Sequence, residues 1–125
     1  MNIKLLFFIG SGSFLGGVFR YVFSLLIQQK NTTCFPLSTF FVNIFGCFFI
    51  GLVYSWSVKG QISEDMRLFL ATGILGGFTT FSAFSYETMS LLRQGQTNIA
   101  VLYIVASIII GICATLLGFK LLEWI

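Results

Sequence analysis

The chain reads as an all-α membrane protein with four transmembrane helices, the third of them broken near its middle. Three observations predict this. The 125 residues are 57% hydrophobic and only 9% charged, with a mean hydropathy of +0.96, values that lie outside the range of ordinary soluble domains. Four apolar runs of the length that crosses a bilayer core span about 5–27, 37–58, 68–92 and 99–122. Within the third run, GGFTTFSAF (Gly76 to Phe84) sets two glycines and three hydroxyls among three phenylalanines. Backbone that leaves helical geometry at membrane depth is tolerated only where protein buries it or where it lines a wet cavity. Almost nothing remains for a soluble part, so residues 1–125 are expected to form one integral domain in contact with the lipid bilayer.

The first run, Leu5 to Ile27, follows only Lys4 and lacks an early small-residue cleavage site, so it is read as a retained span. Gly12 and Gly16 stand four apart in it, a spacing that lets helices approach closely. Lys30, Asn31 and Pro36 punctuate the loop to the second run, Leu37 to Val58, whose one strongly polar side chain is Asn43. Lys59 and Gly60 end that run, and Ser63 before Glu64 and Asp65 has the character of an N-cap for the third. The third run repeats the small-residue spacing at Gly73 and Gly77, and its paired glycines followed by paired threonines are expected to loosen the helix. Arg93, Gly95 and Asn98 lead to the fourth run, Ile99 to Leu122.

With four spans, both termini and the second loop share one side of the membrane. Lys4, Lys59, Arg67 and Lys120 fall there, against Arg20, Lys30 and Arg93 on the other. The positive-inside rule needs an asymmetry. Four against three leaves insertion in both orientations and insertion in one orientation open. Four helices also leave little room for a polar path unless a second copy completes it, which makes a homodimer the economical expectation. The net charge of +3 is spread along the chain, with no basic run to grip nucleic acid.

The polar groups inside the spans carry the functional reading. Asn43 must find partners if buried. It is either a hydrogen-bonded clamp between helices or a donor of two N–H bonds facing an ion. Thr79, Thr80 and Ser82 offer hydroxyls to an anion, while a local break frees carbonyls that suit a cation. Phe81 and Phe84 share a helix face. Ring edges are positive, so the pair either packs as ordinary apolar side chains or presents weak anion contacts. Tyr103, Ser107, Gly111 and Thr115 recur every four residues, forming either a polar track or a stripe of hydroxyls bonded back to their own helix. Arg20 and Glu87 lie just inside span ends, where snorkelling or a vestibule relieves their charge. Cys47 and Cys113 are read as small core residues. The chain has no histidine and no paired intramembrane carboxylates, so nothing supplies acid–base or nucleophilic catalysis and an enzyme is not expected.

GGVFRY (Gly16 to Tyr21), VNIFG (Val42 to Gly46) and TGILGGFTTFSAFSYE (Thr72 to Glu87), in this order in spans one, two and three, resemble the CrcB/Fluc fluoride channels. The resemblance implies an antiparallel, dual-topology homodimer with two fluoride pathways along the subunit interface and a structural Na+ ion at its centre. By position it implies that Asn43, Thr80, Phe81, Ser82, Phe84, Tyr103, Ser107 and Thr115 line the fluoride pathway. Arg20 and Glu87 match the vestibule. Gly76 and Thr79 match the residues whose main-chain carbonyls hold the sodium. Ala83 stands where most members have threonine, and Gly111 where many have a hydroxyl. The implied activity is passive export of fluoride across a bacterial inner membrane.

Two rivals belong to other classes. A small dual-topology drug exporter needs a titratable carboxylate deep in a span, and the first span has no acid. A non-transporting scaffold subunit would use the polar patches only as helix glue.

Overall fold

A computed structural model describes residues 2–124. Four helical units are each long and apolar enough to cross a membrane. They are α1 (Ile3–Gln28), α2 (Leu37–Val58), a composite third span and α6 (Thr97–Leu121). The third span runs through α3 (Glu64–Leu68), a π-helical segment Phe69–Leu75, α4 (Gly76–Phe78) and, after a break, α5 (Phe81–Arg93).

Local chemistry sets the ends. Ser63 caps α3 by accepting the Met66 N–H at 3.3 Å, the role its position ahead of two acids predicts. Gly60 and Gly95 take φ of +66° and +75°, the left-handed turn that closes a helix and favours glycine. Pro36 precedes α2, where its missing N–H costs nothing.

Helix α2 is the centre of the bundle, with α1 on one side, α6 on the other and the third span against it. Small residues decide how closely these units approach. The glycine pairs of α1 and the third span meet each other: a Cβ on Gly12 would press on the Phe69 carbonyl oxygen, one on Gly16 on the Ile74 carbonyl and one on Gly77 on Ser13. Gly51 and Gly118 do the same between α2 and α6, against the Thr115 and Phe48 carbonyls. In lipid, where apolar side chains gain little by meeting each other, such backbone proximity drives association through dispersion.

This contact also moves the break from its expected cause. Gly76 stays helical, with φ −63° and ψ −37°, and Gly77 lies within helical α4. The chain turns extended at Thr79 (ψ 157°) and Thr80 (φ −151°, ψ 115°) instead. Gly77 serves packing and the threonines make the bend.

Candidate functional site

The break is held from across the bundle. Asn43, in the middle of α2, accepts the Thr80 N–H on Oδ1 at 2.8 Å and donates from Nδ2 to the Thr80 carbonyl at 3.0 Å. One amide thereby satisfies both main-chain groups of a residue outside any helix, which membrane interiors require. The oxygen and nitrogen are assigned by chemistry, since an N–H can meet only an acceptor. Asn43 is thus a clamp that keeps one N–H free for another partner, where the sequence alone allows two.

The threonines finish the bend. Thr79 Oγ1 donates to the Leu75 carbonyl at 2.9 Å and closes α4. Thr80 Oγ1 accepts the Ala83 N–H at 3.2 Å and caps α5. The break leaves the successive carbonyls from Gly76 to Thr79 without their helical donors. The N–H that a continuous helix would give to Gly76 O belongs to Thr80 and goes to Asn43, and the one due to Thr79 O belongs to Ala83 and goes to Thr80 Oγ1. Main-chain and hydroxyl oxygens at the break are the neutral donors that a cation could use there.

Two cavities flank the break, and Thr80 borders both. The first, about 380 Å³, lies between α2, the third span and α6, and its wall includes Asn43, Cys47, Thr79, Phe81, Phe84 and Ser107. The second, about 300 Å³, gathers Arg20, Gln28, Ser38, Thr39, Ala83 and Glu87. A larger groove of about 490 Å³ between α1, α2 and the third span is lined by apolar side chains such as Phe23, Leu52 and Ile74, with the Trp56 indole among them. It offers an ion few donors, so the two smaller cavities beside the break form the candidate site.

Glu87 is fixed by two hydroxyls, Thr39 Oγ1 at 2.6 Å and Tyr103 OH at 2.7 Å. Tyr103 is fully buried and borders neither cavity, so in a single chain it braces Glu87. Of its stripe, Ser107 alone reaches the first cavity, and its Oγ is buried with no hydrogen-bond partner. Thr115 Oγ1 donates back to the Gly111 carbonyl at 3.2 Å, the local bonding that hydroxyls in helices often adopt. Phe81 and Phe84 lie 5.5 Å apart between ring centroids. Phe84 packs on the Leu91, Ala100 and Tyr103 core, whereas Phe81 is 78% exposed. Ser82 is exposed beside it, with Oγ 3.1 Å from Thr80 Oγ1.

Three participants escape sequence reasoning. Thr39 sits one turn before Asn43 on the same face of α2, a spacing that flags it in retrospect. Gly46 lets the Thr79 methyl seat against α2. Cys47 borders the first cavity. Cys113, expected in the core, is exposed on α6, because helical rotation turns it away from α2.

A family model described as "CrcB-like protein, Camphor Resistance (CrcB)" matches residues 7–119. Proteins named fluoride-specific ion channel FluC are similar over nearly the whole chain. That of Azobacteroides pseudotrichonymphae is 45% identical over 98% of both chains. Those of a Thermus thermophilus strain and of Methylobacillus flagellatus are 46% and 47% identical over about nine-tenths of each. The chain belongs to the CrcB/Fluc family, a family of ion channels and not of enzymes.

Proposed function

We propose that this protein is a fluoride channel in which two antiparallel copies build two pathways along their interface and export fluoride passively. The observation that carries the reading is the Asn43-held break, which gathers neutral donors around a cavity at mid-span. Fluoride is small and strongly hydrated, so a selective path must replace its water with fixed donors and still bind weakly enough to release it. The remaining Asn43 N–H, the hydroxyls of Thr80, Ser82 and Ser107, and the ring edges of Phe81 and Phe84 supply that replacement. Arg20 raises anion concentration at the entrance, and Glu87 and Thr39 share its cavity wall.

Need for a second copy is supported by what one chain leaves uncovered. Thr72, Gly76, Phe81, Ser82 and Ser85 are all exposed on the third span, and lipid cannot complete a polar path around Phe81. Tyr103 and Thr115 join the path on this reading only through rearrangement or through contacts from the partner. The nearly balanced charge on the two sides supports insertion in both orientations.

Sodium fits the freed carbonyls of Gly76 and Thr79, which are neutral oxygens at the end of a broken helix, the donor type that holds Na+ in discontinuous membrane helices. When bound at the interface, the ion would offset repulsion among nearby anions and tie the two bends together. Helical spans support placement in a bacterial inner membrane.

Reconstitution tests the proposal. Liposomes containing only this protein are expected to release fluoride down its gradient and to retain chloride. A scaffold gives no flux, and a proton-coupled exporter gives flux that follows the pH gradient.

A further inference from the structure

We propose that the groove between α1, α2 and the third span, with the small pocket at its end, binds one anionic phospholipid: an acyl chain lies in the groove and Lys30 holds the headgroup phosphate. The site needs the four spans and a bilayer around them, and does not depend on the fluoride pathway.

The groove has the shape and the walls that suit a hydrocarbon chain. Phe23 of α1 meets Phe45 of α2 and Phe78 of the third span, with ring centroids 5.5 and 6.1 Å apart. From that level Leu26 lies one turn toward the end of α1, and Trp56, on the antiparallel α2, lies three turns the other way, so the two ends stand roughly 20 Å apart. A volume of about 490 Å³ drawn out over that length is narrow, and no residue lining it is charged. It fits one chain better than a compact ligand.

The end at Leu26 is basic. Leu26 also borders a pocket of about 310 Å³ whose wall holds Lys30 and Asn31 from the connection between α1 and α2, with Leu37 and Phe41 from the start of α2. Lys30 follows Leu26 by about one turn, which sets its ammonium group where a lipid phosphate sits when the chain below it fills the groove. Asn31 keeps the connection folded there, its Oδ1 accepting the Thr33 N–H at 2.9 Å and its Nδ2 donating to the Phe35 carbonyl at 3.0 Å. Among the described residues the one ion pair joins Arg67 to Glu64, so no carboxylate competes for Lys30. A lysine at a membrane surface attracts anionic lipid.

A second copy on the proposed interface does not reach this groove. Leu70, Ile74 and Phe78 line it at four-residue spacing, whereas the exposed Thr72 and Gly76 are two residues off that stripe and face the opposite way. Phe19, Val22 and Leu26 remain exposed along its rim. Lipid is what meets them.

Trp56 lines the groove and reports its occupant. In Trp124→Phe protein, where Trp56 is the remaining tryptophan, detergent-solubilised samples are titrated with phosphatidylglycerol or phosphatidylcholine brominated in the distal half of identical acyl chains. Phosphatidylglycerol is expected to quench Trp56 at about fivefold lower lipid fraction, the effect of one lysine facing an anionic lipid. Lys30→Gln is expected to erase that preference and Lys30→Arg to keep it, and the exposure of Lys30 leaves folding intact in both. Leu52→Phe narrows the groove and should weaken quenching by both lipids. Equal curves for the two headgroups, or a preference that survives Lys30→Gln, overturns the inference. Absence of quenching by either lipid shows a groove closed or filled by protein, and overturns it too. Fluoride flux is not read, so this site and the channel reading can fail separately.

Discussion

Replacing Asn43 with alanine removes both bonds that hold Thr80, the N–H contact at 2.8 Å and the carbonyl contact at 3.0 Å. Each stranded main-chain group costs about 1–3 kcal/mol, so complete burial would cost roughly 2–6 kcal/mol, against a total stability on the order of 5–15 kcal/mol. Thr80 borders two cavities that water can enter, which places the expected loss in the lower half, about 2–3 kcal/mol. At tenfold per 1.4 kcal/mol, local opening becomes roughly 30–150-fold more frequent. Hydrogen exchange at the Thr80 amide reports that opening, and its rate should rise by the same factor. Asn43→Asp is the sharper control. Its carboxylate still accepts the Thr80 N–H, but its second oxygen faces the Thr80 carbonyl and repels it unless protonated. Protection and fluoride flux should therefore fall as pH rises through the aspartate pKa and recover as pH falls. Wild-type exchange at Thr80 in Asn43→Ala would show that something other than this amide fixes the bend.

Other outcomes follow from the same contacts. Gly16→Ala forces a methyl onto the Ile74 carbonyl whereas Gly17 faces open space, so thermal unfolding in detergent should show a loss of about 1–3 kcal/mol for the first and under about 0.5 kcal/mol for the second. Phe81→Ile should slow fluoride efflux while leaving unfolding nearly unchanged, because the ring is exposed in the single chain. Phe84→Ile should affect both, since that ring packs on Tyr103. Tyr103→Phe leaves Glu87 with one hydroxyl partner and should cost about 1.5–3 kcal/mol in chemical denaturation. Ser107→Ala removes a hydroxyl that bonds to nothing within the chain; flux should drop without loss of stability, and unchanged flux would mean that the cavity is not on the path.

The spans were legible because a bilayer imposes one length and one composition on any helix that crosses it. Helix α2 begins and ends where its apolar run does, at Leu37 and Val58, and Ser63 caps as its neighbours predict. The interruption near Gly76 to Phe84 was legible too, because hydroxyls and glycines in an apolar run require an explanation. Its mechanism was not. Glycine permits a bend but does not require one, and Gly77 is held straight by the α1 backbone that presses on it.

The amino-acid order alone determined four apolar helices, a polar interruption in the third and the types of donor available there, since these depend on composition and on spacing along one helix. Only tertiary structure decided where each donor points. Asn43 meets Thr80 across 37 positions of sequence, Glu87 is shared by Thr39 and Tyr103, and Ser107 alone of its stripe turns to the cavity. Such pairings are set by the rotation and separation of neighbouring helices, which close backbone contact at glycines fixes and periodicity within a single helix does not encode.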